Sequence, residues 1–450
     1  MKATITFIPH DIFRRGQNLA MQPVTAIYLL GQILIDNGID TRILDPYELR
    51  NMSTYSYTEI SDTVIGDSEI LFFSSNSYNW ANTKRVIEII KANRPEISIV
   101  VGGIHPTMMD MRVMNTTPVD VIIRGEGERS IVEVARSMLM KELELSSIDG
   151  ITYRDSNGHI IRNKDARPLT EEEYAIYNAN CCFNKLPAGE YRGIPCETSR
   201  GCRYNCAFCG IWSHGAWKSL NIVQIKEKLS QTIACMKEKT RNGIVTITDD
   251  CFTADRMRLL EVLDYLSNIS QGCDLVMEGR LNEIVDPNVI KAIKKNPIRR
   301  FLVGIECGYD EGLRRVRKGY TTETIEKYLE IVKASGLSNM VYCSFIIMFP
   351  WETEEECLKT IHFAARLVER YGVQSNISIW NIIPSELWDQ REQYGLNVDA
   401  DFFESGLLGK QEDYEKYLVS IHPVLTEKSY RKIKKAIAMY IARGINLINN

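Results

Sequence analysis

The chain has 450 residues, of which 44% are hydrophobic and 25% are charged, and its formal net charge is -4. This length predicts two or three domains, each able to bury a core. The small net charge gives no indication of nucleic acid or an anionic membrane as a partner, and no apolar run reaches the roughly 18 residues that a membrane span needs.

Strands and helices alternate along residues 1–147. Strands are predicted at 3–9, 41–44, 70–74, 97–101 and 119–123, and helices at 25–37, 82–93 and 127–142. This alternation predicts an α/β fold with a doubly wound, Rossmann-like parallel sheet. Ligands of such sheets bind beyond the carboxyl ends of the strands. The candidate binding residues there are Ser74, Gly102, Gly103, Gly125, Glu126 and Gly127.

The alternation stops at residues 148–193 and resumes at residues 194–390. The first stretch contains one predicted hairpin, around Asp155–Gly158, and is otherwise polar, so it is interpreted as a linker. In the second stretch, strands are predicted at 194–198, 244–248, 274–278, 301–306, 341–348 and 377–383, with helices between them. Six βα units predict a partial (β/α)6 TIM-like barrel, whose working residues follow the strands. Residues 391–450 are predicted to be a helical segment.

Three of the twelve cysteines form a close cluster, Cys202, Cys206 and Cys209, directly after the first predicted barrel strand. Residues 1–9 resemble a strand more than a signal peptide, so we expect a cytoplasmic protein in which thiols stay free of disulfides. Three thiolates on one loop can bind three irons of a cubane cluster and leave the fourth iron open for a substrate.

Two other metal sites are compatible with the cysteine cluster. His214 follows Cys209 by five residues and could complete a zinc site with three cysteines and one histidine. Cys196 could supply a fourth thiolate to an electron-transfer cluster. In either case the protein would bind metal without being a catalyst.

The spacing C-x3-C-x2-C with Phe208 before the last cysteine resembles the signature of the radical S-adenosylmethionine (SAM) superfamily. Further segments resemble that family in the same order. They are Thr248–Phe252 after the second barrel strand, Gly279–Arg280 after the third, Gly304–Gly308 and Lys318–Gly319 after the fourth, and Phe349–Thr353 after the fifth. Two glycines of the family's G-F-P-G-E-T pattern are replaced, by Met348 and Trp351, and these side chains either shape the substrate pocket or only pack differently.

The resemblance implies that Cys202, Cys206 and Cys209 bind a [4Fe-4S] cluster, which cleaves SAM to a 5′-deoxyadenosyl radical. It also implies that Phe208 lines the adenine and that Asp249 or Asp250 binds the SAM ammonium group. Arg280 would pair with the SAM carboxylate, and Glu306 would hold the ribose hydroxyls or the amino group. Core packing, helix capping and structural ion pairs are the competing explanations of these five residues. Cys251 and Cys307 lie at strand ends, where some members use a cysteine as a hydrogen-atom donor.

Residues 1–147 resemble the cobalamin-binding domain that often precedes a radical SAM domain. The similar segments are Val101–Thr107 and Ile123–Glu128, whose glycines would let backbone amides approach the corrinoid tail. The D-x-H-x-x-G motif that supplies an axial histidine in other cobalamin proteins is absent, as in many radical SAM relatives. His105 is not predicted to be a cobalt ligand.

The resemblance therefore predicts a cobalamin-dependent radical SAM enzyme that methylates an unactivated carbon of a small-molecule or natural-product precursor. A radical SAM enzyme without functional cobalamin, such as a cyclase, an epimerase or an aminocarboxypropyl transferase, is the alternative. A non-catalytic iron–sulfur or zinc protein is a third hypothesis. The expected electron donor is a flavodoxin or a ferredoxin. The sequence does not indicate the oligomeric state.

Overall fold

The computed structural model describes residues 2–12, 22–50, 52, 56–140, 142–186, 191–211, 215–399, 401–445 and 447, with only the backbone of residues 241 and 242. The chain divides into two compact units. The first comprises residues 1–192 and 400–411, and the second comprises residues 193–399 and 412–450. His214, the histidine of the zinc hypothesis, lies outside the described residues.

None of the described helices combines the length and the apolar character that crossing a lipid bilayer would require.

The first unit is built on one seven-stranded sheet in the order β2-β1-β3-β4-β5-β6-β7. Its strands are β1 (Lys2–Thr6), β2 (Asp40–Leu44), β3 (Ile70–Ser74), β4 (Ser98–Gly102), β5 (Val121–Ile123), β6 (Ile151–Arg154) and β7 (Ile160–Arg162). The first five strands pair in parallel, and β6 and β7 are antiparallel additions. This is the doubly wound sheet that the sequence predicts.

Residues 148–193 are predicted to be a linker, and the structure corrects this prediction. The hairpin in this stretch belongs to the sheet of the first unit. Strand β6 pairs with β5 through Ile122 and Thr152, and β7 pairs with β6. The buried Arg124 donates hydrogen bonds to Thr152 and to the Asn163 carbonyl, and it forms an ion pair with Asp165 at 3.0 Å. Sequence reasoning missed this edge because a polar hairpin and a linker have similar compositions.

Helices cover the sheet of the first unit. They are α1 (Thr25–Asp36), α2 (Pro46–Arg50), α3 (Tyr57–Ile65), α4 (Trp80–Asn93), α5 (Ile104–Met108), α6 (Asp110–Thr116), α7 (Gly127–Met140) and α8 (Glu171–Asn178). The strands β3, β4 and β5 are almost wholly buried, as their continuous apolar runs predict for a sheet covered on both faces.

The second unit is built on six strands in the order β15-β14-β13-β12-β11-β8. The unit's strands are β8 (Tyr191–Cys196), β9 (Ser199–Arg200), β10 (Lys218–Ser219), β11 (Thr240–Ile247), β12 (Asp274–Gly279), β13 (Ile298–Glu306), β14 (Val341–Ile347) and β15 (Gln374–Ile379). The ladders from β11 to β15 are parallel. Strands β8 and β15 do not pair with each other in the described chain, so the predicted barrel is partial and open.

The two faces of the open barrel differ in burial. Val245, Leu275, Phe301 and Phe345 lie on the face toward the helices and are fully buried. The intervening residues share the other face by register and are partly exposed; they include Thr246, Val276, Leu302 and Ser344. The carboxyl ends of the strands therefore surround a partly polar interior.

The helices of the second unit alternate with its strands and continue beyond β15. They are α9 (Ile222–Lys239), α10 (Arg256–Ile269), α11 (Leu281–Ile284), α12 (Pro287–Ile293), α13 (Asp310–Arg315), α14 (Thr322–Ala334), α15 (Glu354–Tyr371), α16 (Glu386–Asp389), α17 (Gln411–Ile421) and α18 (Glu427–Ala442). Capping boxes at Asn221 and Thr353 start α9 and α15, because each side chain and its partner three residues on satisfy two free backbone amides.

Candidate active site

The cysteine loop begins after β8 and is closed at its base by a short ribbon. Strands β9 and β10 pair antiparallel, and the Gly215 amide donates to the Cys202 carbonyl at 2.8 Å. Gly201 has a φ of +86°, and a Cβ atom there would lie 1.7 Å from the Ala216 carbonyl oxygen. Only glycine fits this position, so the glycine before the first cysteine is a structural requirement of the loop.

The three thiols are partly exposed and close enough to influence one another. Burial raises the pKa of Cys206, although the Lys318 and Arg280 cations partly offset this rise. Burial also raises the pKa of Cys209, to about 11. Among the described residues, no three His, Cys, Asp or Glu side chains converge on a single metal ion. Convergence on one ion is what mononuclear zinc requires, whereas each thiolate of a cubane site binds a different iron.

Asp249 holds the start of the cysteine loop. Its fully buried carboxylate accepts hydrogen bonds from the Thr198 amide at 2.6 Å, the Thr198 hydroxyl at 2.7 Å and the Ser199 hydroxyl at 2.5 Å. Arg258 pairs with it at 2.8 Å. These four donors occupy the carboxylate and fasten Asp249 to the start of the cysteine loop, while its contact with SAM stays a prediction.

Asp250 points to a more open position beside the same loop. Its Oδ2 accepts a hydrogen bond from the Gly201 amide at 2.7 Å, and its Oδ1 has no hydrogen-bond partner within the described chain. The side chain is solvent-accessible but recessed, and burial together with the negative charges of Glu197 and Asp249 raises its pKa. Of the two predicted aspartates, Asp250 is the one with a carboxylate oxygen that makes no hydrogen bond within the described chain.

Arg280 is a buried cation at the end of β12, the strand next to β11. Only 8% of the residue is exposed. Its guanidinium lies 3.8 Å from the ring centre of Tyr204 and donates to the Lys318 carbonyl. Its buried Nε has no hydrogen-bond partner, and no carboxylate pairs with it among the described residues. A buried cation without a counter-ion is costly, so this position fits a ligand carboxylate.

Glu306 is folded back over Gly304 and paired with a lysine. The residue is buried with a φ of +74°, and its Oε1 lies 3.1 Å from the Lys318 ammonium. A Cβ atom at Gly304 would lie 2.1 Å from that oxygen, which explains the glycine two positions before the glutamate. The sequence analysis assigns no role to Lys318, although Lys318–Gly319 is one of the segments that resemble the radical SAM family.

Phe208 and the segment 348–352 form an apolar wall. The Phe208 and Phe349 rings lie 5.9 Å apart, and Phe349 stacks on Trp351 at 4.9 Å. Met348 is fully buried with a φ of +65°, a backbone conformation in which glycine costs least. Trp351 is 9% exposed and donates to the Tyr309 hydroxyl at 3.2 Å, so it packs inward.

The two strand-end cysteines lie in different surroundings. Cys307 is fully buried, and burial, together with the nearby Glu352 and Glu306 carboxyl groups, raises its pKa. Cys251 is 4% exposed, and its sulfur lies 3.9 Å from the Thr253 hydroxyl oxygen. Sequence reasoning also missed Tyr204, whose hydroxyl donates to Glu283 at 2.5 Å.

The predicted ligand loops of the first unit lie side by side at the carboxyl ends of β3, β4 and β5. Ser74 pairs with Gly102, which pairs with Ile123. A Cβ atom at Gly103, whose φ is +102°, would lie 2.4 Å from the Ser75 carbonyl oxygen. The Gly125 amide donates to the Thr107 hydroxyl at 2.9 Å.

Two side chains near these loops are already engaged within the first unit. Glu126, a predicted ligand residue, accepts a hydrogen bond from the Leu169 amide at 2.8 Å. This bond ties the segment 148–193 to the loop that follows β5. Gly127 begins α7. His105 is 1% exposed between Trp80 and Phe403, and its Nδ1 lies 3.0 Å from the Ser77 hydroxyl. Burial lowers the pKa of His105 to about 3, as fits a locked neutral histidine.

Comparison with known proteins gives two domain matches and distant relatives. The model of the radical SAM superfamily matches residues 196–364, and that of the B12-binding domain matches residues 23–135. An uncharacterized methyltransferase of Pyrococcus horikoshii is 28% identical over 309 residues, 67% of this chain and 65% of the relative. An anaerobic magnesium-protoporphyrin IX monomethyl ester cyclase of Rubrivivax gelatinosus is 23% identical over 289 residues, 62% of this chain and 51% of the relative. The chain spans about half to two thirds of the length of these relatives.

The fold is also found among solved structures. The radical SAM methyltransferase TsrM of Kitasatospora setae, solved with cobalamin and a [4Fe-4S] cluster, matches with a TM-score of 0.66 and 14% identity, over 89% of this chain and 76% of that one. A radical SAM domain implies a [4Fe-4S] cluster and SAM, and a B12-binding domain implies cobalamin. The chain therefore carries a radical SAM domain, matched at residues 196–364, and a B12-binding domain before it, matched at residues 23–135, as the sequence predicts.

Proposed function

We propose that this chain is a cobalamin-dependent radical SAM enzyme whose [4Fe-4S] cluster is bound by Cys202, Cys206 and Cys209. One observation carries the proposal. Two residues of opposite charge follow the adjacent strands β11 and β12 beside the cysteine loop, and each has a polar atom without a hydrogen bond in the described chain. Asp250 has a free carboxylate oxygen and Arg280 has no counter-ion among the described residues. The amino acid moiety of SAM offers the complementary ammonium and carboxylate groups.

The residues of the second unit would orient SAM rather than react with it. When bound, the cluster supplies the electron that breaks a carbon–sulfur bond of SAM, and cobalamin supplies a methyl group. Asp250 accepts hydrogen bonds from the ammonium group, and Arg280 donates to the carboxylate. Glu306 keeps Oε2 for a ribose hydroxyl or the amino group. Phe208 covers the adenine and keeps water away from the reacting carbon.

The first unit would bind cobalamin through backbone groups. Ser74, the glycines at 102, 103, 125 and 127, and the backbone of Glu126 lie at one edge of the sheet. Backbone amides in such loops, and the amino end of α7, suit the phosphate and the polar tail of a corrinoid. His105 is buried by its aromatic neighbours and makes no bond to cobalt in this proposal.

The proposed reaction is methylation of an unactivated carbon in a small molecule or natural-product precursor. Its support is the B12-binding domain and the relative named as a methyltransferase. Ring formation without methyl transfer is the second candidate, because another relative is named as a cyclase. An electron donor of the flavodoxin or ferredoxin type would serve either reaction.

Two assays on the anaerobically reconstituted protein separate these candidates without knowledge of the substrate. The first measures 5′-deoxyadenosine formed from SAM under reduction, which we expect to disappear in a Cys202→Ala/Cys206→Ala/Cys209→Ala variant. The second adds cob(I)alamin and SAM with a ¹³C-labelled methyl group and measures labelled methylcobalamin. Its formation supports methyl transfer. SAM cleavage without methylcobalamin supports the cyclase or another outcome, and no SAM cleavage in the wild type contradicts the whole proposal.

A further inference from the structure

Glu278 is a carboxylate on the inner face of β12 that has no role in the proposed function so far. Along this strand Leu275 and Met277 are fully buried, whereas Val276 is partly exposed and Glu278 is accessible to solvent. Successive side chains of a strand point to opposite faces of the sheet. Glu278 therefore shares with Val276 the face that lines the interior of the open barrel.

The strand pairing places Glu278 beside the ion pair of Glu306 and Lys318. Glu278 lies opposite Leu302 on β13, and Gly304 follows two residues later on the same face. A Cβ atom at Gly304 would lie 2.1 Å from the Glu306 Oε1 and 3.0 Å from the Lys318 Nζ, so the ion pair covers this position. With strands about 4.8 Å apart and about 3.3 Å per residue, the Cα atoms of Glu278 and Gly304 are about 8 Å apart. Long side chains reach across such a diagonal.

The Glu278 carboxylate has no partner there. It makes no hydrogen bond and no ion pair with any residue that the structure describes. Burial, and then the negative charges of Asp250 and Glu306, raise the pKa of Glu278. The side chain is accessible to solvent and is also surrounded closely enough for burial to disfavour its charge. Glu278 therefore lines a concave part of the barrel, where a ligand can reach its carboxylate.

Arg280 gives a separate indication that a charged ligand occupies this place. It follows Glu278 by two residues, is 8% exposed and leaves its Nε without a hydrogen-bond partner. Glu283 is the next carboxylate along the chain, and its two oxygens accept hydrogen bonds from the Tyr204 and Thr253 hydroxyls. Glu278 is thus the carboxylate beside Arg280 that stays available to a ligand.

We propose that the Glu278 carboxylate faces the sulfonium group of SAM and makes the site prefer SAM to S-adenosylhomocysteine. The inference rests on the proposed function, in which Asp250 binds the ammonium group of SAM and Arg280 binds its carboxylate. The sulfonium is the third charged group of SAM. It has no hydrogen to donate, so a nearby negative charge is what distinguishes it from a neutral thioether. Transfer of the methyl group removes the positive charge, and the contact therefore also favours exchange of the product for fresh SAM.

The test measures the affinities of SAM and of S-adenosylhomocysteine for the reconstituted protein by equilibrium dialysis. No reductant is present, so SAM stays intact. The wild type, Glu278→Gln, Glu278→Asp and Asp250→Asn are compared at equal iron per chain. We expect Glu278→Gln to bind SAM about threefold to tenfold more weakly than the wild type does, because an attraction between charges is lost. Its affinity for S-adenosylhomocysteine should stay within about twofold of the wild-type value.

The other two variants separate charge from packing and from the shared groups of the two ligands. Glu278→Asp keeps the negative charge and should keep most of the preference for SAM. Asp250→Asn should weaken both ligands to the same extent and leave the preference intact, because both ligands carry the ammonium group.

Three results would overturn the inference. The first is a Glu278→Gln protein that loses affinity for both ligands alike, which would place the contact on a part that they share. The second is unchanged SAM affinity in that variant, and the third is a wild type that binds the two ligands equally. Failure of the proposed function has a different signature, since a wild-type protein with a full cluster would then bind neither ligand.

Discussion

Arg280 shows at the scale of one residue why a ligand is expected in the second unit. Its guanidinium is buried against Tyr204, donates to a backbone carbonyl and leaves Nε without a partner. We predict that Arg280→Met weakens SAM binding about tenfold to a hundredfold, because a hydrogen bond between charged groups is lost. Equilibrium dialysis of SAM against the reconstituted protein measures this change.

The matched control for that variant is Arg300→Met. Arg300 also lies over a tyrosine ring, that of Tyr342 at 4.2 Å, but near the amino end of β13. Its replacement should leave SAM affinity within about twofold, since surface-type contacts contribute little. Equal weakening in both variants would show that loss of packing, rather than a contact with SAM, explains the Arg280 result.

Glu352 gives a pH-dependent prediction from a single buried carboxyl group. It accepts from the Phe349 amide and the Tyr309 hydroxyl, and burial raises its pKa to about 7. Below the ordinary glutamate value of about 4.3, both folded and unfolded chains are protonated and the group contributes nothing. Between there and pH 7 only the unfolded chain releases the proton, so the free energy of unfolding falls as the pH rises, by roughly 3 kcal/mol in total.

The variant Glu352→Gln removes this titration because glutamine stays neutral. Its melting temperature should exceed that of the wild type near pH 8 and lose the advantage near pH 4. Thermal unfolding of both proteins across this pH range tests the prediction. Parallel curves for the two proteins would mean that Glu352 does not hold its proton in the folded state.

At the scale of elements, the ribbon of β9 and β10 sets the geometry of the cysteine loop. Gly201→Ala would place a Cβ atom 1.7 Å from the Ala216 carbonyl oxygen at a φ of +86°. We predict that it strongly lowers iron retention after reconstitution and desalting, because the ribbon must open. Gly272→Ala is the matched control, since Gly272 has a φ of +74° and nothing within 4 Å.

Gly272→Ala should cost only about 1 kcal/mol of stability, from the backbone conformation alone. It should therefore retain its iron. Loss of iron in both variants would show that backbone strain in this unit, and not the closed ribbon, limits cluster binding. If Gly201→Ala retains all of its iron, the ribbon of β9 and β10 does not control cluster binding.

The sequence predicts the helices and strands well where apolar runs are long. It fails where contacts between polar side chains determine how strands pair. The strand at 70–74 is found at its predicted limits, and the helix predicted at 82–93 is found at Trp80–Asn93. The hairpin β6–β7 was assigned to a linker, because its pairing with β5 depends on buried contacts of Arg124 that no local pattern reveals.

In the candidate site, too, the sequence motif locates a segment, but side-chain contacts determine the role of each residue. The spacing of the cysteines locates the loop. It cannot distinguish Asp249, whose carboxylate is filled by Thr198, Ser199 and Arg258, from Asp250, which has a free oxygen. The separation of these neighbours depends on side-chain direction. The roles of Lys318 and Tyr204 likewise follow from contacts between distant segments.

At the scale of the whole molecule, each unit carries its own candidate cofactor site. Gly103→Ala places a Cβ atom 2.4 Å from the Ser75 carbonyl oxygen at the predicted cobalamin edge. We predict that it reduces cobalt retention and leaves iron unchanged, whereas the triple cysteine variant does the reverse. Gly38→Ala is the control, with a φ of +81° and open space around it. Joint loss of both metals in either variant would contradict independent sites.

In the proposed function, one chain binds both a [4Fe-4S] cluster and a cobalamin. Its most direct test is the content of iron, cobalt and zinc per chain after anaerobic reconstitution with iron, sulfide and hydroxocobalamin, followed by desalting. We expect about four irons and one cobalt, with the iron lost in the triple alanine variant of Cys202, Cys206 and Cys209. Zinc in place of iron, or iron that survives the triple substitution, would contradict it.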